Sequence, residues 1–352
     1  MTEPRTDGGD ARGAHASGAA DSKRPPRTPY AGEGGFLLLD KPIGISSFLA
    51  LRPVKRLFHK AKVGHAGTLD PAATGLLIAG VAGGTRLLEY LEGMPKTYAF
   101  TAVFGFTSDS YDLEGAVEPF AGSPPPADAA AVERALAAFR GGIMQAPPAY
   151  SAVKVGGERA YALARAGEEV VLPPRAIEIH SLELTGFTPA SNTSVTGAAT
   201  AHLVATCSKG TYVRSLVHDL GRALGCGAVT GSIRRLAIGD FRVEDATAPD
   251  ALTAETPLLP LAAAVGRLPA ITIPAADADR FLNGQSLTVA IPPDAKAALT
   301  AAAGEGIEAR AQDAAGRLLA IADLTVEGRL KPRKVLARRE PAPAAIVGEA
   351  EP

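Results

Sequence analysis

The sequence has little cysteine, no long apolar run and almost no net charge, and each shortage removes a class of protein. Two cysteines in 352 residues, Cys207 and Cys226, stand with 18 residues between them. That is neither a CxxC pair nor a zinc-ligand spacing, so both are expected to be buried, reduced thiols. The six histidines (15, 59, 65, 180, 202 and 218) form no HExxH arrangement, and no metal is expected. No apolar stretch approaches the roughly 20 residues that span a bilayer, and no apolar signal core follows the first charges. A soluble, cytoplasmic protein without membrane association is the expectation. The glycines at 80, 83 and 84 suggest a nucleotide loop, but neither GxGxxG nor GxxxxGK followed by Ser or Thr is present, so no nucleotide cofactor is expected.

A net charge of −1 argues weakly against a nucleic-acid partner until its distribution is read. Between Asp40 and Asp70 there is no acidic residue, whereas Lys41, Arg52, Lys55, Arg56, Lys60 and Lys62 all fall there with His59 and His65. A block of one sign next to a loop suits phosphate binding. That loop is Gly64-His65-Ala66-Gly67-Thr68-Leu69-Asp70-Pro71. Its glycines permit backbone angles closed to other residues, and Pro71 keeps Asp70 out of the helical region. One carboxylate is thereby held on a stiff loop.

In chain order, residues 1–34 have the composition of a disordered tail. Phe36–Leu39 reads as a buried strand, and Ser46 or Ser47 caps a helix in which Pro53 forms either a kink or the first turn. Gly75–Val81 reads as a strand, Thr85 as the cap of a helix through Leu91, and Lys96–Gly105 as a strand. Residues 107–118 form an acidic, turn-rich connection, Ala127–Phe139 a helix ending at Gly141, and 158–166 another helix. Ile177–Phe187 and Ala198–Thr206 pair as antiparallel strands, Thr211 opens a helix to Leu224 with Arg214 in its first turn, and 232–241 is a strand with Arg234 and Arg235 adding positive charge. A short helix is expected around Leu258–Val265, with a domain boundary near 265–275. The unit that follows is small and β-rich, with FLNGQ at 281–285 as a turn. Arg329, Lys331, Arg333, Lys334, Arg338 and Arg339 make a basic end, which suits phosphate contact or a solvated terminus.

Five ordered blocks resemble the TruB family of tRNA pseudouridine synthases, bacterial branch: LLLDKP at 37–42 with GISS at 44–47, GHAGTLDPAATGLL at 64–77, KTY at 96–98, PPAYSAVK at 147–154, and CSKGTYVRSL at 207–216 with GCGA and IRRL after it. The resemblance covers about residues 35–246, and the end of the chain is similar to a PUA-type RNA-binding domain. It implies an α+β pseudouridine synthase fold: a mixed, mainly antiparallel central sheet flanked by helices over 35–268, a PUA-like unit over 269–339, and a flexible tail from 340. It also implies isomerisation of the uridine at position 55 in the T loop of elongator tRNAs, without cofactor or metal. The implied partner is the tRNA T arm alone, the protein being a monomer with no obligate protein partner. By the same resemblance Asp70 is the catalytic aspartate and Arg214 its partner. Tyr98 stacks on the flipped base, His65 supports the T loop, Tyr212 and Ile233 complete the base pocket, and Lys41 and Lys154 contact substrate. Pro53 and Ile233 depart from the family's pattern.

The chemistry suits these residues. A base must leave its stack at a penalty of a few kcal/mol, recovered by stacking at roughly 1–3 kcal/mol per base. Glycosidic cleavage normally needs two carboxyl groups, yet only one is placed here, as suits a uracil that stays bound while water is kept from attacking. Asp70 acts ionised, as nucleophile toward C1′ or base toward the 2′ hydrogen, and Arg214 favours that form against desolvation. The competing readings are a non-catalytic tRNA-binding module, from the basic segments, and a glycoside hydrolase, which lacks its second acid. Phosphate contacts are expected from Lys41, Lys55, Arg56, Lys60 and Lys62.

Overall fold

The computed structural model describes residues 30–191 and 197–337. The expected tail over 340–352, Arg338 and Arg339 lie outside them, as do residues 1–29 of the expected tail over 1–34. Tyr30 already packs edge-on against Phe58 at 5.1 Å, ahead of the expected start at residue 35. The FLLL run builds strand β1 (Gly34–Lys41). In place of the single expected helix there are two, α1 (Ser47–Ala50) and α2 (Arg52–Leu57). Pro53 has no N–H to continue the ladder, so it stands in the first turn of the second. Ser46 caps the first through the Leu49 N–H at 3.2 Å.

β2 (Val63–Ala66) and β3 (Thr74–Ala82) enclose the loop that carries Asp70. Thr85 caps no helix: it donates to the Ala82 carbonyl at 2.8 Å within a 3-10 turn, and α3 (Leu88–Gly93) starts after it. β4 (Lys96–Phe104) follows. The acidic connection is a small hairpin, β5 (Phe106–Ser108) with β6 (Val117–Pro119). α4 (Ala129–Leu136) is capped by Asp128, and β7 (Gly141–Gln145) begins at the expected helix stop. β8 (Lys154–Val155) and β9 (Glu158–Arg159) form a tight exposed pair before α5 (Ala160–Arg165). β10 (Arg175–Thr188) and β11 (Thr200–Cys207) pair antiparallel, and α6 (Val213–Ala223) starts two residues later than Thr211. The Thr211 hydroxyl donates to the Ser208 carbonyl at 3.0 Å and caps nothing. β12 (Ala228–Ile238) and β13 (Phe241–Arg242) complete this part.

The central sheet has nine strands in the order β1-β3-β12-β4-β11-β10-β7, with β2 on β3 and β13 on β12. Only β3 and β12 run parallel, through Thr74–Arg234 and Gly75–Arg235, so the sheet is mixed and mainly antiparallel. β1 occupies one whole edge of β3, and its other edge is shared by β2 and β12. The Asp70 loop lies where those two strands part. The unbroken apolar run of β3 is explained by cover on both faces: Leu77, Ala79 and Val81 pack with α1 and α2, Leu76 and Ile78 with α3. A larger core joins β4, β10 and β11 to α4 and α6.

The second unit is a five-stranded sheet in the order β14 (Ala270–Thr272), β16 (Ile307–Gln312), β17 (Leu318–Leu324), β18 (Arg329–Val335) and β15 (Leu287–Thr288). It carries two helices that the β-rich reading omitted, α7 (Ala275–Leu282) and α8 (Pro293–Ala301). Phe281 is the buried anchor of α7 rather than a turn residue, and only Asn283 and Gly284 turn. Leu318, Ile321 and Leu336 share the core of α3. Part of the basic end is tied down: Lys334 pairs with Glu89, and Arg333 with Glu308.

At Gly84 and Gly75 the close approach of another backbone segment leaves no room for a side chain. A Cβ on Gly84 would lie 2.2 Å from the Gly35 carbonyl oxygen, and one on Gly75 (φ +99°) would lie 2.3 Å from that of Arg235. Gly84 therefore serves packing of the 3-10 turn on β1. Gly75→Ala is expected to lower stability by about 3 kcal/mol, combining left-handed strain with overpacking; urea unfolding measures it, and a change below about 0.5 kcal/mol would contradict the crossing described.

Candidate active site

The loop between β2 and β3 is held by its carbonyls. Arg235, wholly buried, donates to Gly67 O at 3.1 Å and to Leu76 O at 2.7 Å. The Ser47 hydroxyl donates to Leu69 O at 3.0 Å and accepts from Leu69 N–H at 2.8 Å. The Lys41 ammonium donates to Pro71 O at 3.2 Å, Pro42 O at 2.9 Å and Ile45 O at 2.7 Å. Carbonyls 67, 69 and 71 are thus fixed by three side chains from other elements, leaving the Asp70 side chain 44% exposed between them. This corrects two expectations. Lys41 is wholly buried and directs its N–H groups to carbonyls, so it is no phosphate contact; burial pushes its pKa down to about 8. Arg234 and Arg235 add no free positive charge either, since Arg234 forms a bidentate pair with Asp40 at 2.8 and 3.0 Å.

Arg214, only 5% exposed, reaches Asp70 at 2.9 Å and Asp112 at 3.4 Å. It also donates to Ser110 O at 2.9 Å and Tyr150 O at 2.8 Å. α6 presents the guanidinium from its first turn, and Gln145 braces that end, accepting from Tyr212 N–H at 2.7 Å and donating to Tyr212 O at 3.1 Å. Asp112 escapes a reading of the sequence, where it passes for one more acid in a turn-rich connection. The available signal is Ser-x-Asp: Ser110 Oγ donates to Asp112 Oδ1 at 2.5 Å, and that oxygen also accepts from the Glu114 N–H at 3.0 Å in an Asx-type turn, both Ser110 and Asp112 being buried.

A cavity of about 640 Å³ opens above Asp70, walled by His65, Tyr98, Tyr212, Ile233 and Lys96, a size suited to a small ligand. Tyr98 faces Arg235, and burial raises its phenol pKa. Burial and Arg235 lower that of His65, so its imidazole is neutral at neutral pH. Lys96 donates to the Met94 carbonyl at 2.6 Å, and burial lowers it to about 8. A second cleft of about 940 Å³ reaches Asp70 from the other side, past Ser46, Phe48 and Tyr150. Asp70, Arg214, His65, Tyr98, Tyr212 and Ile233 are therefore brought together, while Lys154 stands apart on the exposed β8. Among the described residues no cluster of His, Cys, Asp or Glu is arranged to hold a metal. What the arrangement offers is the Asp70 carboxylate, charge-paired with Arg214 beneath aromatic walls; Glu92 also lines the cavity.

The family model described as "TruB family pseudouridylate synthase (N terminal domain)" matches residues 55–213. The chain is 43% identical over 266 residues to a tRNA pseudouridine synthase B of Novosphingobium aromaticivorans, covering 72% of this chain and 86% of that one. It is 38% identical over 331 residues to that of Cupriavidus metallidurans, covering 90% and 98%. Among solved structures, an H/ACA RNP bound to a substrate RNA containing 2'-deoxyuridine superposes with a TM-score of 0.62 at 19% identity, covering 88% of this chain and 86% of that one. The archaeal box H/ACA sRNP Nop10-Cbf5 complex gives 0.61 at 20%, covering 87% of each. These two matches speak to fold.

Lys41→Met is expected to take the ammonium donor from the Pro42, Ile45 and Pro71 carbonyls, of which Pro71 O keeps the Gly44 N–H at 2.9 Å, and to lower stability by about 1–3 kcal/mol, measured by urea unfolding. The same variant is expected to leave the salt dependence of RNA binding unchanged; a shallower slope would restore Lys41 as a phosphate contact.

Proposed function

Because the chain belongs to the TruB family of pseudouridylate synthases, we propose that it isomerises the uridine at position 55 in the T arm of tRNA to pseudouridine, with Asp70 as the reacting carboxylate. The Asp70–Arg214 pair at 2.9 Å, at the floor of an aromatic-walled cavity, carries this reading. The target base enters that cavity unstacked, and the faces of Tyr98 and Tyr212 replace part of the stacking it gave up. Ile233 closes the apolar side. His65, neutral and at the mouth shared by both clefts, fills the space the base vacates.

Cleavage breaks the N1–C1′ bond, and uracil keeps the electron pair as a delocalised anion. The base turns within the pocket and C5 bonds C1′. The proton lost from C5 is matched by one gained at N1, so the product is an isomer and no external reactant is consumed. Asp70 acts either by bonding C1′ or by removing the 2′ hydrogen, and both roles need it ionised. Arg214 favours that form and keeps the carboxylate aimed into the cavity.

The phosphate contacts fall to the exposed Lys55, Arg56 and Lys60, on and after α2, and separately to Lys154 on β8. A tRNA substrate accords with a cytoplasmic enzyme, and all the site residues named here come from the described residues of one chain.

Asp70→Asn is expected to abolish pseudouridine formation in a carbodiimide mapping assay while T-arm binding stays within about threefold; retained turnover would refute the role. Arg214→Lys is expected to cost about 10²-fold or more in kcat, since an ammonium cannot span two carboxylates and two carbonyls as a planar fork does. Exchanging Lys55 and Lys60 for Gln is expected to flatten the plot of log Kd against log salt by about 0.7–0.9 for each phosphate no longer neutralised; an unchanged slope would move the phosphate path elsewhere.

A further inference from the structure

Three consecutive residues of the β5–β6 loop all turn toward α6. The Ser110 carbonyl and the Asp112 carboxylate meet Arg214, and the Tyr111 ring between them lies flat on His218, centroids 3.9 Å apart with planes at 14°. His218 is four residues after Arg214, one turn along the same helix face. An extended chain sends residue i+1 away from i and i+2, so this arrangement needs a turn in the backbone at Tyr111. It has one: φ is +64°, a left-handed conformation unusual for an aromatic residue. Such a residue persists only where its surroundings hold it, and such residues gather at functional sites. What holds it is the ring stack, the Tyr111 N–H to Ser108 O at 3.2 Å, and the Thr230 N–H to Tyr111 O at 2.9 Å. Burial and Arg222 push the His218 pKa down, so a neutral imidazole takes part at neutral pH.

We propose that the Tyr111–His218 stack is a positioning device for the reaction, locking the β5–β6 loop to α6 so that Asp112 and the Ser110 carbonyl set the Arg214 guanidinium against Asp70. Neither ring lines the Asp70 cavity or touches substrate. The two act through Arg214, and the assignment rests on the Asp70–Arg214 reading above. Displacing a positioning group by about an ångström is enough to slow chemistry by about 10²-fold, whereas RNA binding, made by the exposed basic residues, is untouched.

The test compares single-turnover pseudouridine formation with T-arm Kd across a set of folded, full-length variants. His218→Ala and Tyr111→Gly are expected to slow the chemical step about 10- to 100-fold with Kd held within about threefold. His218→Phe and Tyr111→Phe, which keep two stacked rings, are expected to stay within about threefold of the parent rate. Tyr111→Gly is the sharper case, because glycine relieves the strained φ and a purely structural role would leave its rate intact. In a cycle with Asp112→Asn, the His218→Ala loss is expected to vanish, since both act on Arg214. The proposal is overturned if His218→Ala or Tyr111→Gly keeps the parent rate, if His218→Phe is as slow as His218→Ala, or if the losses multiply with Asp112→Asn. Turnover surviving in Asp70→Asn would instead overturn the Asp70 reading, independently of the stack.

Discussion

A guanidinium taken almost completely out of water is the interaction on which the site depends. Arg214 is buried between α6 and the β5–β6 loop, and a charge in that position is tolerated only when every N–H direction finds an acceptor. Two carboxylates and two carbonyls from three different segments supply them. The satisfaction of Arg214 therefore requires the Asp70 loop, the acidic hairpin and the segment ending at Tyr150 to be assembled at once. Of its partners Asp70 alone lines the 640 Å³ cavity, whereas Ser110, Asp112 and Tyr150 line the second cleft. The pair is thus asymmetric: Asp112 and the carbonyls anchor the cation, and the cation orients the carboxylate that remains accessible.

The second constraint is the clamp on the Asp70 loop, and it shows why charge read along a sequence misleads. Lys41, Arg234 and Arg235 count as positive residues near the site, yet each is already engaged by acceptors of this chain. Lys41 and Arg235 direct their N–H groups to backbone carbonyls of this chain, and Arg234 is held by Asp40. Lys55 on α2, its ammonium 4.1 Å from the centre of the Phe48 ring, and Lys60 beyond it are exposed instead. Burial separates a structural cation from a binding one, and burial is a property of the fold.

Much of the architecture was legible because local chemistry and tertiary demand agree. The apolar run of β3 is buried on both faces, the alternation of β10 and β11 matches their pairing, and Ser46 caps the helix that its position announced. Misreadings arose where the local signal was weak or the tertiary demand was different. Thr85 and Thr211 have the chemistry of caps, but their hydroxyls are taken by nearby carbonyls. α7 and α8 are rich in Ala with few apolar anchors, so their packing against the second sheet, more than their pattern, makes them helices.

The sequence by itself determined the carboxylate and its rigid setting: two glycines and a proline restrict the backbone around Asp70 through sterics that act over a few residues, and the ordered motifs tied that loop to a family. It also marked Arg214 as a cation at a helix start. Only the tertiary structure decided which acid shares that cation, which lysine is buried, and which aromatic rings meet across α6. The first and last of those outcomes depend on contacts between residues more than 100 positions apart, such as Arg214 with Ser110, and Lys41 is engaged by a carbonyl 30 positions away. Periodicity and turn chemistry are blind at that range, because they record what each segment prefers alone and not what it must satisfy once buried.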